Sequence, residues 1–216
     1  MQVEPGRSKT FRFKAINPGL YVYHCATPNV AVHDAHGQYG LILVQPAAGL
    51  PEVDKEFYVM QGELNTQGRL GERGLQAFDA GKMLDGHPEY IVFNGRVNGT
   101  VGNMTAKRGE RIRLYVGNGG VNLVSSFHVI GEVFDDVYPE GAVGGEPHHN
   151  VQSTMVPAGG AAIVDMGLEV PGKLILVDHA LARLDRGAWG TIQVEGEPNP
   201  EIFEALSPQD GGPGGH

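Results

Sequence analysis

The residues best suited to metal chemistry lie between positions 19 and 38. This stretch holds Cys25, the one cysteine of the chain, and three of its nine histidines. A lone thiol cannot form a disulfide within its own chain, so it is free, bridged to another chain or bound to a metal. The thiolate of Cys25, the imidazole of His33 and a weak axial group at Gln38 are the ligand types of a blue-copper centre. The alternative is a buried free cysteine among surface histidines.

The spacing within this stretch favours His33 over His36 as the partner of Cys25. His33 precedes Gln38 by five residues, which leaves room for a turn between two ligands, whereas His36 precedes it by two. A second histidine from elsewhere normally completes such a site.

The adjacent residues His24 and Cys25 lie at the end of a strand-like run, and this position determines which metals they can bind. Neighbouring residues of a strand point to opposite faces, so these two side chains cannot bind one metal ion. They can bind two metals on opposite sides, joined by a short covalent path that suits electron transfer. Multicopper oxidases carry a His-Cys-His sequence, but Ala26 follows Cys25 here. The trinuclear cluster of those enzymes is therefore not expected.

Composition indicates a soluble globular protein of the all-β class. The 216 residues are 41% hydrophobic and 19% charged, and the net charge of −9 argues against nucleic-acid binding. The 33 glycines and 14 prolines indicate many turns between short strands. No apolar run reaches the roughly 18 residues of a membrane-spanning helix, and no signal peptide is visible at the first residue.

Alternating and apolar runs predict two groups of strands. The first group comprises residues 10–15, 20–25 and 40–44, too few for a sandwich, so we expect residues 1–46 to be the C-terminal part of a first β-domain. Residues 47–200 are predicted to form a second domain, and residues 201–216 a disordered tail. We expect a short helix at 79–84, a helical turn at 179–185, and second-domain strands at 55–62, 90–95, 111–116, 123–130, 151–156, 160–166, 172–178 and 190–195.

One run of each group of strands resembles a run of the other and ends in histidine. In residues 18–24 and 171–179 a Pro-Gly turn leads into an apolar strand that ends in histidine, at His24 and His179 respectively. This echo suggests two domains of one fold.

At these residues the chain resembles the copper-containing nitrite reductases, which are homotrimers with two cupredoxin domains per subunit. It is most similar to the class with a short cysteine loop, some of whose members are lipid-anchored to outer membranes. The matching runs are residues 19–25, 37–46, 90–95, 116–131, 151–160 and 176–179.

The resemblance implies an all-β fold of cupredoxin-like Greek-key β-sandwiches, a truncated first domain followed by a complete second. It implies reduction of nitrite to nitric oxide in denitrification, with electrons passed from a small donor protein, a cupredoxin or a cytochrome c, through type 1 copper to type 2 copper. It also implies a homotrimer with type 2 copper at the subunit interface, and a periplasmic or outer-membrane-associated location.

The same resemblance assigns the copper ligands. Cys25 and His33 are the expected type 1 ligands, with Gln38 where the family has an axial methionine. His24 and His179 are the expected type 2 ligands, and His179 serves the site of a neighbouring subunit. The remaining type 1 histidine, type 2 histidine and active-site aspartate are expected in earlier strands of the first domain, so the chain is expected to hold half of each copper site.

Four further residues match positions around the type 2 copper. His128 corresponds to a histidine that hydrogen-bonds a water near the metal and helps to deliver protons, and Ile130 to the apolar residue that shapes the nitrite-binding space. Gln152 and Ser153 occupy positions that orient this histidine. Read without the resemblance, His128 is a satisfied core residue and His179 a surface residue.

Gln38 is the main departure from the family pattern. An amide oxygen is a harder donor than a thioether, so it should favour Cu(II) and lower the type 1 potential. Two other functions stay open, a non-catalytic cupredoxin for electron transfer or copper binding and an inactive fragment. His148 and His149 lie in a Gly/Pro-rich stretch, and we expect them to be surface residues of a loop. His87 and His216 are also expected to lie at the surface.

Overall fold

Two β-sheets packed face to face form most of the molecule. The computed structural model describes residues 2–97 and 103–206. The strands are β1 Gly19–His24, β2 Tyr39–Val44, β3 Lys55–Leu64, β4 Tyr90–Phe93, β5 Met104–Lys107, β6 Arg111–Asn118, β7 Ser125–Ile130, β8 Phe134–Tyr138, β9 His148–Val151, β10 Ser153–Val156, β11 Ala161–Gly167, β12 Gly172–Asp178 and β13 Trp189–Glu195. The helices are α1 Val30–Ala35, α2 Ala80–Leu84 and the 3₁₀ segments Pro139–Gly141 and Leu181–Arg186.

The sandwich consists of a six-stranded and a five-stranded sheet. Strand order is β4-β3-β6-β11-β8-β9 in the first and β10-β7-β12-β13-β5 in the second. Pairing is antiparallel except for the parallel pairs β3–β6 and β13–β5. Strands β1 and β2 form a separate two-stranded antiparallel sheet.

The main core lies between the two large sheets. Phe93, Phe127 and Phe134 are fully buried there, and the Phe127 ring lies 6.1 Å from Phe93 and 6.2 Å from Phe134 between centroids. In β7, Phe127 and Val129 belong to this core, so alternation directs His128 and Ile130 to the opposite face of the sheet. The fold thus presents two predicted site residues side by side on an outer face.

A second, smaller core joins the two-stranded sheet to the sandwich. Leu20 of β1 packs with Ala161 and Ile163 of β11, while Ala162 and Val164 point into the main core. Strand β11 is therefore buried on both faces. This packing fixes the end of β1, where His24 lies, relative to the sandwich.

An ion pair is buried on the same outer face of the six-stranded sheet. Arg113 of β6 donates to both carboxylate oxygens of Asp165 in β11, at 2.7 and 2.6 Å, and also to the carbonyl of Pro51 at 3.0 Å. Asp165 is fully buried and Arg113 is 2% exposed. The paired carboxylate raises the pKa of Arg113 despite its burial.

One predicted strand is wrong and several elements escaped prediction. Residues 10–15 form no strand, and Phe11 and Phe13 are 65% and 66% exposed. Alternation forms a strand only where a neighbouring strand can pair with it, and no described strand pairs with this run. The missed elements are all six residues long or shorter: α1, β5, β8, β9 and the 3₁₀ segment Pro139–Gly141.

The other predicted elements are present with shifted ends. Helix α2 begins after Asp79, whose side chain accepts a hydrogen bond from Lys82 N at 2.9 Å and so caps the helix. The predicted turn at 179–185 is the 3₁₀ segment Leu181–Arg186. Within residues 2–97 and 103–206, no helix combines the length and the hydropathy that a membrane crossing requires. Residues 201–216 are predicted to be disordered, and residues 207–216 of this tail lie outside the described part of the chain.

Candidate copper sites

The segment from Cys25 to Gln38, called the cysteine loop below, is closed by a backbone hydrogen bond between its two ends. Cys25 follows the last residue of β1, and its amide donates to the carbonyl of Gln38 at 2.9 Å. Between them the chain forms α1, which begins after Asn29 in the left-handed region at φ 69°. His33 lies on this helix, and its Nδ1 is 3.2 Å from Oε1 of Gln38. The loop therefore brings a histidine nitrogen and an amide oxygen into contact beside Cys25.

The residue types of this loop suit a copper ion, because a thiolate, an imidazole and a weak axial group are the ligands of a blue-copper centre. In the structure Nδ1 of His33 and Oε1 of Gln38 are joined by a hydrogen bond, whose proton would leave if this nitrogen bound copper. Hydrogen bonds from the side chain and backbone of Thr27 lower the pKa of the Cys25 thiol, which favours the thiolate that copper binds. His36 is held elsewhere, with Nδ1 2.6 Å from the carbonyl of Val32 and its ring 4.7 Å from that of Phe78.

His24 is oriented by the backbone of its neighbour. Its Nδ1 lies 2.8 Å from the carbonyl of Cys25, and because a carbonyl only accepts, Nδ1 carries the proton. The neutral ring then presents the lone pair of Nε2, the form in which histidine binds metals. Asp34 of α1 lies 3.5 Å from the same Nδ1 and supports this tautomer. The His24 side chain is 43% exposed and lines a cleft of about 370 Å³ with Val22 and Gly120.

His128 is held in the same way but in a buried setting. It is 7% exposed, and its Nδ1 lies 2.6 Å from the carbonyl of Gln152. On β7 it lies between Ser153 of β10 and Val177 of β12. Burial lowers the pKa of His128, the nearby His179 lowers it further, and the hydrogen bond to Gln152 opposes both.

His179 lies beside His128, directly after β12. The two ring centroids are 5.4 Å apart with an interplanar angle of 61°. The His179 amide donates to the carbonyl of Ser126 at 2.7 Å, which fixes the backbone while the side chain stays exposed. Ile130, 39% exposed, lies on the same face of β7 as His128.

An acidic cleft of about 540 Å³ opens next to His128. Glu132, Asp135 and Glu169 line it. Burial, with smaller contributions from the charges of Asp135 and Glu169, raises the pKa of Glu132 to about 7. Asp135 is itself paired with Arg111, at 2.8 Å.

The predicted site residues form two separate sets. The cysteine-side set comprises His24, Cys25, His33 and Gln38, and the sandwich-side set comprises His128, Ile130, Gln152, Ser153 and His179. His24 and His128 line different clefts. In the part of the chain that the structure describes, no group of three or more His, Cys, Asp or Glu side chains is arranged to hold a metal ion.

Three of the remaining histidines, His87, His148 and His149, are exposed as predicted, but His148 and His149 do not lie in a loop. His148 and His149 lie in strand β9, and His149 Nδ1 is 2.7 Å from Asp136 Oδ1. The predicted loop at these positions is wrong because β8 supplies a pairing edge. His87 is exposed, and His216 lies outside the described residues.

Sequence reasoning missed two carboxylates that support the site. Asp34 approaches His24, and Asp178 lies directly before His179, completely buried. The position of an aspartate at the end of an apolar strand, next to a candidate ligand, is a signal that could have identified Asp178.

A cupredoxin-like β-sandwich with a cysteine and histidines at the end of a strand defines a class of copper proteins. A copper-containing nitrite reductase of Neisseria meningitidis is 57% identical over 202 residues, and the match covers 92% of this chain and 52% of the relative. The solved copper nitrite reductase of Nitrosomonas europaea superposes with a TM-score of 0.78 at 32% identity, covering 92% of this chain and 70% of that one. The chain belongs to the family of copper-containing nitrite reductases.

The fold is shared more widely than the family. A blue copper oxidase from Nitrosomonas europaea superposes with a TM-score of 0.69 at 25% identity, covering 89% of this chain and 61% of that one. No protein-family model matches the chain. The chain spans about half the length of the curated relatives it matches.

Proposed function

We propose that the full-length protein reduces nitrite to nitric oxide. One nitrite ion takes up one electron and two protons and yields nitric oxide and water. The observation that carries this proposal is the His24–Cys25 pair at the end of β1, with His33 and Gln38 gathered beside the cysteine. The 57% identity to a copper-containing nitrite reductase supports the same reaction.

The residues divide between two copper ions. Cys25, His33 and Gln38 would hold type 1 copper, and His24 and His179 would each contribute to a type 2 site. Bound at these residues, copper would supply the electron path and a position for nitrite. The single peptide bond between His24 and Cys25 joins the two sites within this chain.

His128 provides the acid–base chemistry. Its Nδ1 keeps a proton on the carbonyl of Gln152, so the ring takes up and releases its second proton at Nε2. A histidine at this position can protonate an oxygen of nitrite directly or through one water. Gln152 orients the ring through its backbone, Ser153 lies opposite on β10, and Ile130 limits the space beside it with an apolar surface.

Assembly and location are also proposals. The homotrimer, with type 2 copper at the subunit interface, is supported by the separation of His24 from His128 into different clefts of one chain. A small electron-donor protein, a cupredoxin or a cytochrome c, would deliver electrons near the exposed Gln38. The periplasmic or outer-membrane-associated location and the role in denitrification follow from the resemblance alone.

The division into domains is proposed on the same basis. Residues 1–46 are assigned to a first cupredoxin domain and residues 47–200 to a second. The two-stranded sheet β1–β2, hydrogen-bonded to neither large sheet, supports this division.

The test is copper content and nitrite turnover of the full-length protein. We expect two coppers per subunit, a visible cysteine-to-copper charge-transfer band, and nitric oxide production with an artificial electron donor. Cys25→Ser should abolish the band and the turnover, while His36→Gln should keep both. A full-length protein with the band but without nitrite turnover would be a non-catalytic cupredoxin. A chain of 216 residues that shows no band would be an inactive fragment.

A further inference from the structure

Asp178 is a completely buried carboxylate with its acceptor positions filled. It accepts hydrogen bonds from Gln61 Nε2 at 3.1 Å and Arg183 Nη1 at 2.5 Å. It also accepts from the backbone amides of Ser126 at 3.2 Å and Ala180 at 3.1 Å. A buried charge is costly unless it is paired and hydrogen-bonded, so this arrangement is a specific feature of the fold.

The donors come from separate elements of the sandwich. Gln61 belongs to β3 in the opposite sheet, Ser126 to β7, and Arg183 to the 3₁₀ segment after β12. The network extends further, because Ser125 Oγ donates to Gln61 Oε1 at 2.6 Å and Arg183 donates to the carbonyl of Val124 at 2.7 Å. Asp178 therefore ties β7, β12 and the following turn to the core.

The backbone that this carboxylate fixes is that of His179. Ala180, the residue after His179, donates to the Asp178 carboxylate, and the His179 amide donates to the carbonyl of Ser126. The chain on both sides of His179 is thus hydrogen-bonded, while the imidazole is exposed beside His128. Contacts behind a metal ligand fix its orientation and tune the metal, so a backbone held on both sides limits the directions that the imidazole of His179 can take.

We propose that Asp178 is a positioning residue, which sets the backbone geometry from which His179 reaches the type 2 copper. This inference rests on the proposed function. It also explains why an anion is buried at the end of β12, where an apolar residue would fill the same space without accepting four hydrogen bonds.

A second buried ion pair offers a matched control. Arg113 and Asp165 are buried as deeply as Asp178 but lie on the outer face of the six-stranded sheet beside Pro51, and their contacts involve none of the predicted copper ligands. Asp178→Asn and Asp165→Asn each remove one buried charge from an aspartate–arginine pair. Both should destabilise the protein, but only the first should alter type 2 copper.

The experiment compares the full-length protein with both variants. The type 2 copper affinity is measured by competition with a chelator, the type 2 signal by electron paramagnetic resonance, and the stability of the copper-free forms by urea unfolding. We expect Asp178→Asn to weaken type 2 affinity about 10- to 100-fold and to change the hyperfine splitting of the type 2 signal. The type 1 band should be unchanged, and Asp165→Asn should keep the parent's type 2 affinity and signal.

The outcomes separate this inference from the function on which it rests. A parent protein without type 2 copper would overturn the proposed function. A parent with type 2 copper whose affinity and signal survive Asp178→Asn, or are lost equally in Asp165→Asn, would overturn only the positioning role. If Asp178→Asn does not fold, Arg183→Lys, which keeps the positive charge but not the guanidinium geometry, should still alter the type 2 signal, and an unaltered signal would contradict the proposal.

Discussion

The cysteine loop and the His128–His179 face differ in how firmly they are built. His24 is 43% exposed at the end of a two-stranded sheet, and Gln38 is exposed. His128 is 7% exposed on an inner strand of the five-stranded sheet, with hydrogen-bonded strands on both sides. Beside it, Asp178 fixes the chain around His179 through contacts to three elements.

This difference indicates that proton delivery and electron transfer, the two parts of the proposed reaction, place different demands on the fold. A proton donor and a metal ligand need a fixed geometry relative to the reacting atoms, and the two packed sheets provide it. The cysteine loop instead holds its ligands through local contacts, such as Cys25 N to Gln38 O and His33 to Gln38. Changes to the sandwich side should therefore affect catalysis and stability, and changes to the loop mainly the electron path.

The largest difference between the His128–His179 face and the cysteine loop is expected from His128→Asn, which should lower nitrite turnover without changing type 1 copper. The asparagine amide can still donate to the carbonyl of Gln152, but the side chain no longer supplies a proton. Nitrite turnover of the full-length protein should fall about 10²- to 10⁴-fold, the usual contribution of general acid catalysis. The type 1 band should be unchanged, and His149→Asn, at an exposed histidine, should leave turnover at the parent level. Turnover retained in His128→Asn would remove His128 from the mechanism.

Stability should show the same contrast between the two regions. Phe93→Ala empties a fully buried position in contact with Phe127 and should lower the free energy of unfolding by about 3–5 kcal/mol. Tyr23→Ala removes a ring of β1 that is 59% exposed and lies over Gly40, and should cost about 1 kcal/mol or less. Urea unfolding of both variants measures the difference, and equal losses would show that the small sheet is as tightly built as the sandwich.

The reduction potential of type 1 copper should change when Gln38 is replaced, but not when the nearby exposed Gln45 is replaced. Gln38→Met replaces an amide oxygen by a softer thioether, which favours Cu(I), so the potential should rise. A tenfold change in the relative affinity for the two oxidation states corresponds to about 59 mV for one electron. Spectroscopic redox titration of the full-length protein gives the value, with Gln45→Met as the control. Equal potentials for the parent and Gln38→Met would contradict this role.

The smallest effect is a pH dependence of stability on the sandwich side. The pKa of Glu132 is raised to about 7 from an ordinary value of 4.5, so between these values the folded state binds more protons than the unfolded state. Stability should therefore fall as pH rises through this window. Because Glu132 is only half-buried, we expect less than about 1 kcal/mol between pH 5 and pH 8. Unfolding at both pH values should show this loss in the parent and in Glu52→Gln, but not in Glu132→Gln.

Most of the large sheets could be predicted because apolar runs between turns indicate strands directly. Strands β3, β6, β7, β11, β12 and β13 correspond to predicted runs with ends shifted by a few residues. Strand β9 escaped because its residues, such as His149, are polar and are held by pairing with β8. Strand β8 escaped because Asp135 and Asp136 interrupt its short run of buried apolar residues. The opposite error arose at residues 10–15, where alternation is present but no described strand offers a pairing edge.

The sequence by itself determined the chemistry of this protein: a single thiol next to a histidine, a second histidine eight residues after the thiol, and an amide in place of a thioether. Residue types and short spacings are sufficient for this, because ligand preference is a property of individual side chains. Only the tertiary structure decided that His128 and His179 lie 5.4 Å apart and that Asp178 is buried behind them. These positions depend on the pairing of β7 with β12 and on contacts from β3, which lie more than a hundred residues away in the chain.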